Sequence, residues 1–277
     1  MNTYTNYCGF GVAGNFALHL EQAGEVEDFK EIVTEDPNGP KGVFPFYIPG
    51  RQDFLGVYPI SAKTIRLPEE VCNVQPEPEV ALICDLEYEA DGSVLQITPR
   101  FFGAYNDCSL RKEGAPKISF KKNWGESSKG LSDTLIPIDR FEKGGVMDSY
   151  RIASFLRRGG SLLRYGEDVE LLGYSYFYEK LLDWLKDQIN TQTDIGPLEP
   201  VSRYLKEAGL PKQAIISIGA TRYTHLGENH FLQEGDEVIV VVYDNNLYCM
   251  NPILMMANKG ILQGEGLSVL VQRVQRA

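Results

Sequence analysis

Apolar and polar positions alternate along several stretches of the chain with the period of two that is typical of β-strands. Residues 80–90 and 93–105 form two such runs, and the Asp91-Gly92 pair between them is a hairpin turn signal. Residues 149–166 predict two more strands around a Gly-Gly pair. Further strands are predicted at residues 214–221, 236–244 and 267–275. Many strands with few helices predict a β-dominated α+β domain with a rolled sheet.

Two segments instead have the spacing of an amphipathic helix. The clearer one, residues 175–190, places on one side of a helix the apolar residues Phe177, Leu181, Leu182, Trp184, Leu185 and Ile189. The other lies within residues 10–30, where Phe16, Leu20 and Ala23 follow one another at helical spacing. Asn15 precedes them, and we expect it to cap this first helix.

Prolines and glycines are frequent in residues 36–61, and their spacing forbids a helix and argues against a central strand. Aromatic residues interrupt the segment and indicate that it is ordered. Two interpretations remain open: a lid or binding loop, or an extended connector that its aromatic side chains hold in place. We therefore expect an N-terminal helix and lid-like segment over residues 1–61 and a β-roll domain over residues 62–277.

The charge balance narrows the classes of partner. The 277 residues contain 27 Lys and Arg against 38 Asp and Glu, a formal net charge of −11. Such a chain lacks the basic surface that nucleic acid and anionic membranes require, and no window approaches the roughly 18 apolar residues of a spanning helix. The five cysteines are scattered and form no CxxC pair, which fits a reducing compartment. We expect a cytoplasmic protein that binds neither nucleic acid nor membrane.

Two acidic residues at the start of a predicted strand are the first chemical signal. Glu77 and Glu79 are two residues apart, so the period of a strand points both side chains to the same face. Two carboxylates in that position repel each other unless a cation or a proton intervenes, and a hard divalent ion with oxygen ligands would satisfy both. On the evidence of these two residues alone, the alternative stays open that both carboxylates are exposed to solvent, as most carboxylates in proteins are.

Further motifs follow in a fixed order. After Glu77-x-Glu79 come Asn106-Asp107-x-Ser-x-Arg111 and then a segment with Trp124, Lys129 and Asp133. This order resembles the fumarylacetoacetate hydrolase family. The segment GVAGNFALH is similar to that family's Gly-x-Asn-Tyr-x-x-His motif, and AIISIGAT and LQEGDEVIVVV are similar to its Gly-Thr-Pro loop and Pro-Gly-Asp turn. The resemblance runs from residue 8 to about residue 248.

The resemblance implies a fold, a metal and a class of reaction. It implies a mixed β-sandwich roll of the type found in the fumarylacetoacetate hydrolase C-terminal domain, assembled as a homodimer. It implies a magnesium, manganese or calcium ion held by Glu77, Glu79 and Asp107. The implied activity is metal-dependent chemistry on a small keto or diketo acid: hydrolysis of a carbon–carbon bond, decarboxylation, or isomerisation or hydration through an enolate that the metal stabilises.

The resemblance also implies roles for side chains around the metal. Lys129 matches the family lysine that binds the developing negative charge, and His19 matches the histidine that handles water or a proton. The residues implied to bind substrate are Arg111, Gly219 and Thr221.

Several positions depart from the family pattern. Gln22 stands where the family has a glutamate that orients the histidine, and Ile48 and Ala220 replace a lysine and a threonine. Glu25 lies six residues after His19, and we expect a helix to point it elsewhere. These departures support an alternative function, that of a divergent, non-catalytic member that serves as a metal- or ligand-binding module.

Overall fold

The structure, a computed structural model, describes residues 4–30, 32, 34 and 36–276 of the chain. Fourteen strands lie within the described residues: β1 (Cys8–Ala13), β2 (Gly42–Tyr47), β3 (Thr64–Arg66), β4 (Val74–Gln75), β5 (Pro78–Tyr88), β6 (Val94–Asn106), β7 (Ser109–Leu110), β8 (Gly130–Leu131), β9 (Ile136–Pro137), β10 (Tyr150–Arg158), β11 (Ser161–Glu170), β12 (Gln213–Ser217), β13 (Glu237–Asp244) and β14 (Leu267–Gln275). The same residues contain six α-helices: α1 (His19–Ala23), α2 (Ser119–Lys122), α3 (Tyr178–Thr191), α4 (Val201–Glu207), α5 (His225–Asn229) and α6 (Met250–Lys259).

Two mixed sheets form the body of the molecule. The first has the order β2-β1-β12-β5-β6-β8, with β9 also paired to β6, and the second has the order β11-β10-β13-β14-β3. Strands β1 and β12 run parallel, as do β14 and β3, while the β5–β6 hairpin is antiparallel. Apolar side chains from both sheets share one buried cluster, to which Leu82 and Phe102 contribute from the first sheet and Ile152 and Val240 from the second. The predicted β-dominated α+β class is confirmed.

The seven predicted strands and the longer amphipathic helix lie where the periodicity places them. The runs at residues 80–90 and 93–105 become β5 and β6, and the helix predicted at residues 175–190 becomes α3. Leu181, Leu185 and Ile189 of α3 are fully buried, as its apolar side requires. None of the helices in the described part of the chain combines the length and the apolar character that crossing a bilayer requires.

The helix predicted within residues 10–30 was wrong over most of its length. Residues Cys8–Ala13 form strand β1, which is buried between β2 and β12, and the α-helix of this region is the five-residue α1. Pairing on both sides fixes the conformation of β1, which ends two residues before the predicted cap Asn15. Asn15 does not cap a helix, because its side-chain amide donates to the carbonyl oxygens of Tyr176 and Ile218.

The Pro/Gly-rich segment supplies an edge strand. Strand β2 contains Pro45 and lies at the edge of the first sheet. A proline is tolerated there because an edge strand has a neighbour on one side only, so the missing N–H need not break a hydrogen bond between strands. All six of its residues are buried, and the rings of Phe46 and Tyr47 contact Tyr105 and Tyr58. The boundary after residue 61 stays a prediction, with β1 and β2 belonging to the same sheet as β5 and β6.

Candidate metal centre

Three carboxylates converge at one end of the β5–β6 hairpin. Glu79 lies in β5, Glu77 directly precedes that strand and Asp107 directly follows β6, and the register pairs Pro78 with Asn106. One oxygen of each carboxylate lies within 4.8 Å of the others, and all three residues are buried. An ion 2.0–2.6 Å from each ligand can join oxygens up to about 5 Å apart. The set therefore fits the oxygen donors that a hard divalent cation requires.

Backbone contacts fix the positions of these carboxylates. The amide of Asp107 donates to the carbonyl oxygen of Glu77 at 2.9 Å, and the amide of Glu77 donates to the side chain of Asn106 at 3.1 Å. The carboxylate of Glu79 accepts from the amide of Gly219 at 3.1 Å. Gly219 has a φ of +113°, and a Cβ there would lie 2.9 Å from the Cβ of Asn15, so glycine is required at this close approach.

Two buried lysines reach the same carboxylates. The ammonium of Lys122 lies 2.6 Å from Glu77 Oε2 and 2.6 Å from Asp107 Oδ2. The ammonium of Lys129 lies 3.1 Å from Asp107 Oδ1 and donates to the carbonyl oxygen of Cys108. The family resemblance pointed to Lys129. Nothing in the sequence signalled Lys122, which stands there only as half of a short basic pair.

Burial and charge together set the protonation of the site. Burial raises the pKa of Glu79 well above its usual range, and the nearby Asp107 carboxylate adds to the effect. Burial also opposes the charge on Glu77, but Lys122 and Arg111 outweigh it and lower the pKa of that carboxyl. Burial likewise disfavours the Lys122 ammonium, and the carboxylates of Asp107 and Glu77 reverse this and raise its pKa. Burial lowers the pKa of Lys129. Without an ion, the surroundings thus favour the protonated form of Glu79 and the charged form of Glu77.

His19 lies beside the carboxylates as a neutral base. Its Nδ1 lies 3.0 Å from the carbonyl oxygen of Thr221, an acceptor, so Nδ1 carries the proton and Nε2 keeps its lone pair. Nε2 lies 3.9 Å from Glu77 Oε2. Burial lowers the pKa of His19, the largest influence on it, which keeps the ring neutral near pH 7.

Gln22 has a structural role on the same helix. Its side chain donates to the carbonyl oxygen of Tyr223 at 3.1 Å and to the Glu228 carboxylate at 2.6 Å, and it accepts from the Tyr223 amide at 2.9 Å. The orienting contact to His19 comes from the backbone of Thr221. The departure at Gln22 therefore does not leave the histidine without an orienting partner.

Arg111 and Glu25 extend the ionic network. The Arg111 guanidinium lies 2.8 Å from Glu25 Oε1 and 2.9 Å from Glu77 Oε1, and it also donates to Tyr223 Oη and to the side chain of Gln75. All three of its nitrogens are thus engaged within the protein. The expectation that Glu25 points elsewhere was wrong, because α1 ends at Ala23 and Gly24 turns the chain back through a left-handed conformation.

The remaining residues implied to bind substrate lie against this network. The amide and hydroxyl of Thr221 both donate to the carbonyl oxygen of Pro78, at 3.0 and 3.2 Å. Gly219 contacts Glu79 as described above. The structure thus brings His19, Lys129, Arg111, Gly219 and Thr221 to the carboxylates. Their catalytic and substrate-binding roles stay predictions.

A small cavity lies between the carboxylates and the segment that carries α1. Its volume is about 20 Å³, and its polar walls are formed by His19, Glu25, Glu77, Glu79, Asp107 and Lys122. A space of this size holds about one water molecule or one ion. A keto acid needs more room, so its binding would require the surrounding side chains to move apart.

Comparison with known families assigns the chain to one of them. A family model matches residues 25–274, and its description is that of a family of unknown function, DUF5718. The chain belongs to this family. No curated protein matches the sequence.

Solved structures share the fold at low sequence identity. A fumarylacetoacetate hydrolase family protein from yeast is 15% identical with a TM-score of 0.54, over 97% of this chain and 93% of that one. A 5-carboxymethyl-2-hydroxymuconate delta-isomerase from Mycobacterium smegmatis is 15% identical with a TM-score of 0.51, over 98% and 79% of the two chains. A 2-keto-3-deoxyarabinonate dehydratase is 13% identical with a TM-score of 0.52, over 98% and 74%. The fold implied by the family resemblance is confirmed.

Proposed function

We propose that this protein is a metal-dependent enzyme that acts on a small keto or diketo acid. The observation that carries the proposal is the convergence of three buried carboxylates, Glu77, Glu79 and Asp107, beside a neutral histidine. Structures that share this fold include a dehydratase and an isomerase, the first of which is named for a 2-keto acid. The reaction belongs to the classes of carbon–carbon hydrolysis, decarboxylation, isomerisation and hydration.

The residues of the site can divide the chemistry between them. A divalent cation held by the three carboxylates would act as a Lewis acid on a substrate carbonyl group. In the proposed reaction, Nε2 of His19, which lies 3.9 Å from Glu77 Oε2, takes a proton from water or from a substrate carbon. Lys129 holds a positive charge next to Asp107 that can offset negative charge developing on the substrate.

Metal binding and turnover test the proposal separately. We expect wild-type protein to bind Mg²⁺ or Mn²⁺, and a Glu77→Ala/Asp107→Ala variant to lose that binding. Glu87→Ala is the matched control, because Glu87 lies on the same strand as Glu79 but is exposed. Metal-loaded wild type should turn over an acylpyruvate, oxaloacetate or a related keto acid, and His19→Ala should lose that turnover. Equal metal binding by the wild type and the double variant would contradict the assignment of Glu77 and Asp107 as metal ligands.

A second candidate function is a non-catalytic metal- or ligand-binding module. The cavity of about 20 Å³ favours it, because this space accommodates an ion but not a substrate. Metal binding without turnover of any keto acid in the panel would support this interpretation. A homodimer and a cytoplasmic location remain further predictions, which sedimentation and cell fractionation can check.

A further inference from the structure

The ammonium of Lys122 lies between two of the three carboxylates that are proposed to hold the metal. It is 2.6 Å from Glu77 Oε2 and 2.6 Å from Asp107 Oδ2, which are charge-assisted hydrogen-bond distances. A metal ligand oxygen lies about 2.0–2.6 Å from its ion. The ammonium therefore holds oxygens of two of the carboxylates from which an ion would be coordinated.

Side-chain contacts of the next residue, Asn123, hold Lys122 in this place. Helix α2 ends at Lys122, and the next residue, Asn123, donates from its side chain to the carbonyl oxygens of Phe46 at 2.8 Å and Val57 at 3.0 Å. The centre of the Phe44 ring lies 5.2 Å from the ammonium. The neighbouring Lys121 turns away and contacts Asp28. Two adjacent lysines thus have different partners, so Lys121 offers a matched control.

Charges of the buried network are already paired within the protein. Three acidic residues, Glu25, Glu77 and Asp107, contact three basic residues, Arg111, Lys122 and Lys129. At their formal charges these six residues sum to zero. A divalent ion would add two positive charges in a place shielded from water, where an unbalanced charge is strongly unfavourable.

We propose that Lys122 is a tethered cation that takes the place of the metal in the ion-free protein and competes with a divalent ion for Glu77 and Asp107. The inference rests on the metal site of the proposed function, and it adds that the affinity of that site is limited by a side chain of the protein. An ion that takes Glu77 Oε2 and Asp107 Oδ2 as ligands can bind only after the Lys122 ammonium has left those oxygens.

Mn²⁺ titration of ion-free protein by calorimetry tests the competition. Lys122→Met removes the ammonium but keeps most of the side-chain volume, and Lys121→Met removes the same charge one residue away. We expect Lys122→Met to lower the dissociation constant for Mn²⁺ by about tenfold or more, because the ion no longer has to break a buried charge pair. Lys121→Met should change it much less. Equal affinity in wild type and Lys122→Met, an equal gain in Lys121→Met, or no Mn²⁺ binding by either protein would overturn the inference.

Thermal unfolding gives a readout that does not depend on activity. In EDTA, Lys122→Met should melt below wild type, because Glu77 and Asp107 lose their shared cation. Saturating Mn²⁺ should raise its melting temperature more than it raises that of wild type. Lys122→Gln keeps a hydrogen-bond donor without the charge and serves if the methionine variant does not fold without metal. Equal Mn²⁺ shifts in wild type and the folded Lys122 variant would contradict the competition.

The two proposals fail in different experiments. Tighter Mn²⁺ binding by Lys122→Met together with no keto-acid turnover would support the competition and remove the enzymatic function. Turnover by metal-loaded wild type, together with equal Mn²⁺ affinity of wild type and Lys122→Met, would support the enzymatic function and contradict the competition.

Discussion

Replacement of two glutamates, two residues apart, by glutamine should change the stability of the ion-free protein by very different amounts. Glu77 carries its charge between two cations, with its carboxylate 2.6 Å from the Lys122 ammonium and 2.9 Å from the Arg111 guanidinium. Burial and Asp107 instead raise the pKa of Glu79, which accepts a hydrogen bond from the amide of Gly219. Glutamine is close in shape to both glutamates, but it reproduces only the protonated one.

The structure sets the size of each effect. Breaking a buried ion pair costs about 3–5 kcal/mol when the partner is left uncompensated. In Glu77→Gln, Lys122 keeps Asp107 and Arg111 keeps Glu25, so we expect the lower end, about 3 kcal/mol. For a chain of this size that loss lowers the melting temperature by about 6–12 °C. Glu79→Gln retains an acceptor for the Gly219 amide and should change stability by less than about 1 kcal/mol.

Thermal unfolding at pH 7 in EDTA measures both variants, with Glu87→Gln as the exposed control on the same strand. The expected order of melting temperatures places Glu77→Gln well below the other three proteins. Losses of equal size at Glu77 and Glu79 would mean that both carry a full charge in the ion-free protein. A larger loss at Glu79 would refute the assignment of the protonated carboxyl.

Three further predictions concern other groups of the protein. Burial raises the pKa of Glu199 to about 7, so the folded protein binds the Glu199 proton more tightly than the unfolded chain does. The free energy of unfolding should therefore fall as the pH rises from about 4.5 to 7. Urea unfolding curves measured across this pH range should show a smaller fall for Glu199→Gln than for wild type. Leu18 is exposed with a φ of +69°, so Leu18→Gly should relieve strain and stabilise the protein by about 1 kcal/mol in the same assay. Gln22→Glu would place a carboxylate where Gln22 now donates to Glu228 at 2.6 Å, so we expect it to destabilise the protein by about 1–2 kcal/mol and not to raise activity; a more active variant of unchanged stability would contradict this.

The sequence predicted seven of the fourteen strands in the described residues, because these seven carry their own signal. Alternation over residues 80–90 and 93–105, together with the Asp91-Gly92 turn, specifies the β5–β6 hairpin locally. Strand β1 carries no such signal. Its six residues, CGFGVA, are all buried between β2 and β12, so side chains on both faces are apolar or absent and the alternation disappears. The residues at helical spacing, Phe16, Leu20 and Ala23, all lie after β1, and only Leu20 and Ala23 fall within the short helix α1.

The shared face of Glu77 and Glu79 was predictable for the same local reason, whereas Asp107 was implied only by the family resemblance. Glu77 and Glu79 share a face because of the period of β5, and the hairpin brings Asp107 next to them. Glu25 was predicted to point away because a continuous helix was assumed. The left-handed Gly24 ends that helix and returns Glu25 to the site.

The charge state of the carboxylates could not be predicted from their motifs, because it depends on side chains that no motif connects to them. Lys122 comes from a single-turn helix 45 residues after Glu77, and its position depends on how Asn123 is held by residues from two other segments. A family resemblance can carry over the residues able to hold a metal, since strand period and hairpin register preserve their directions. It cannot carry over the ion's competitor, which is one lysine in a polar stretch of sequence. Conclusions about metal dependence within this fold therefore have to count the buried ammonium groups near the carboxylates as well as the carboxylates themselves.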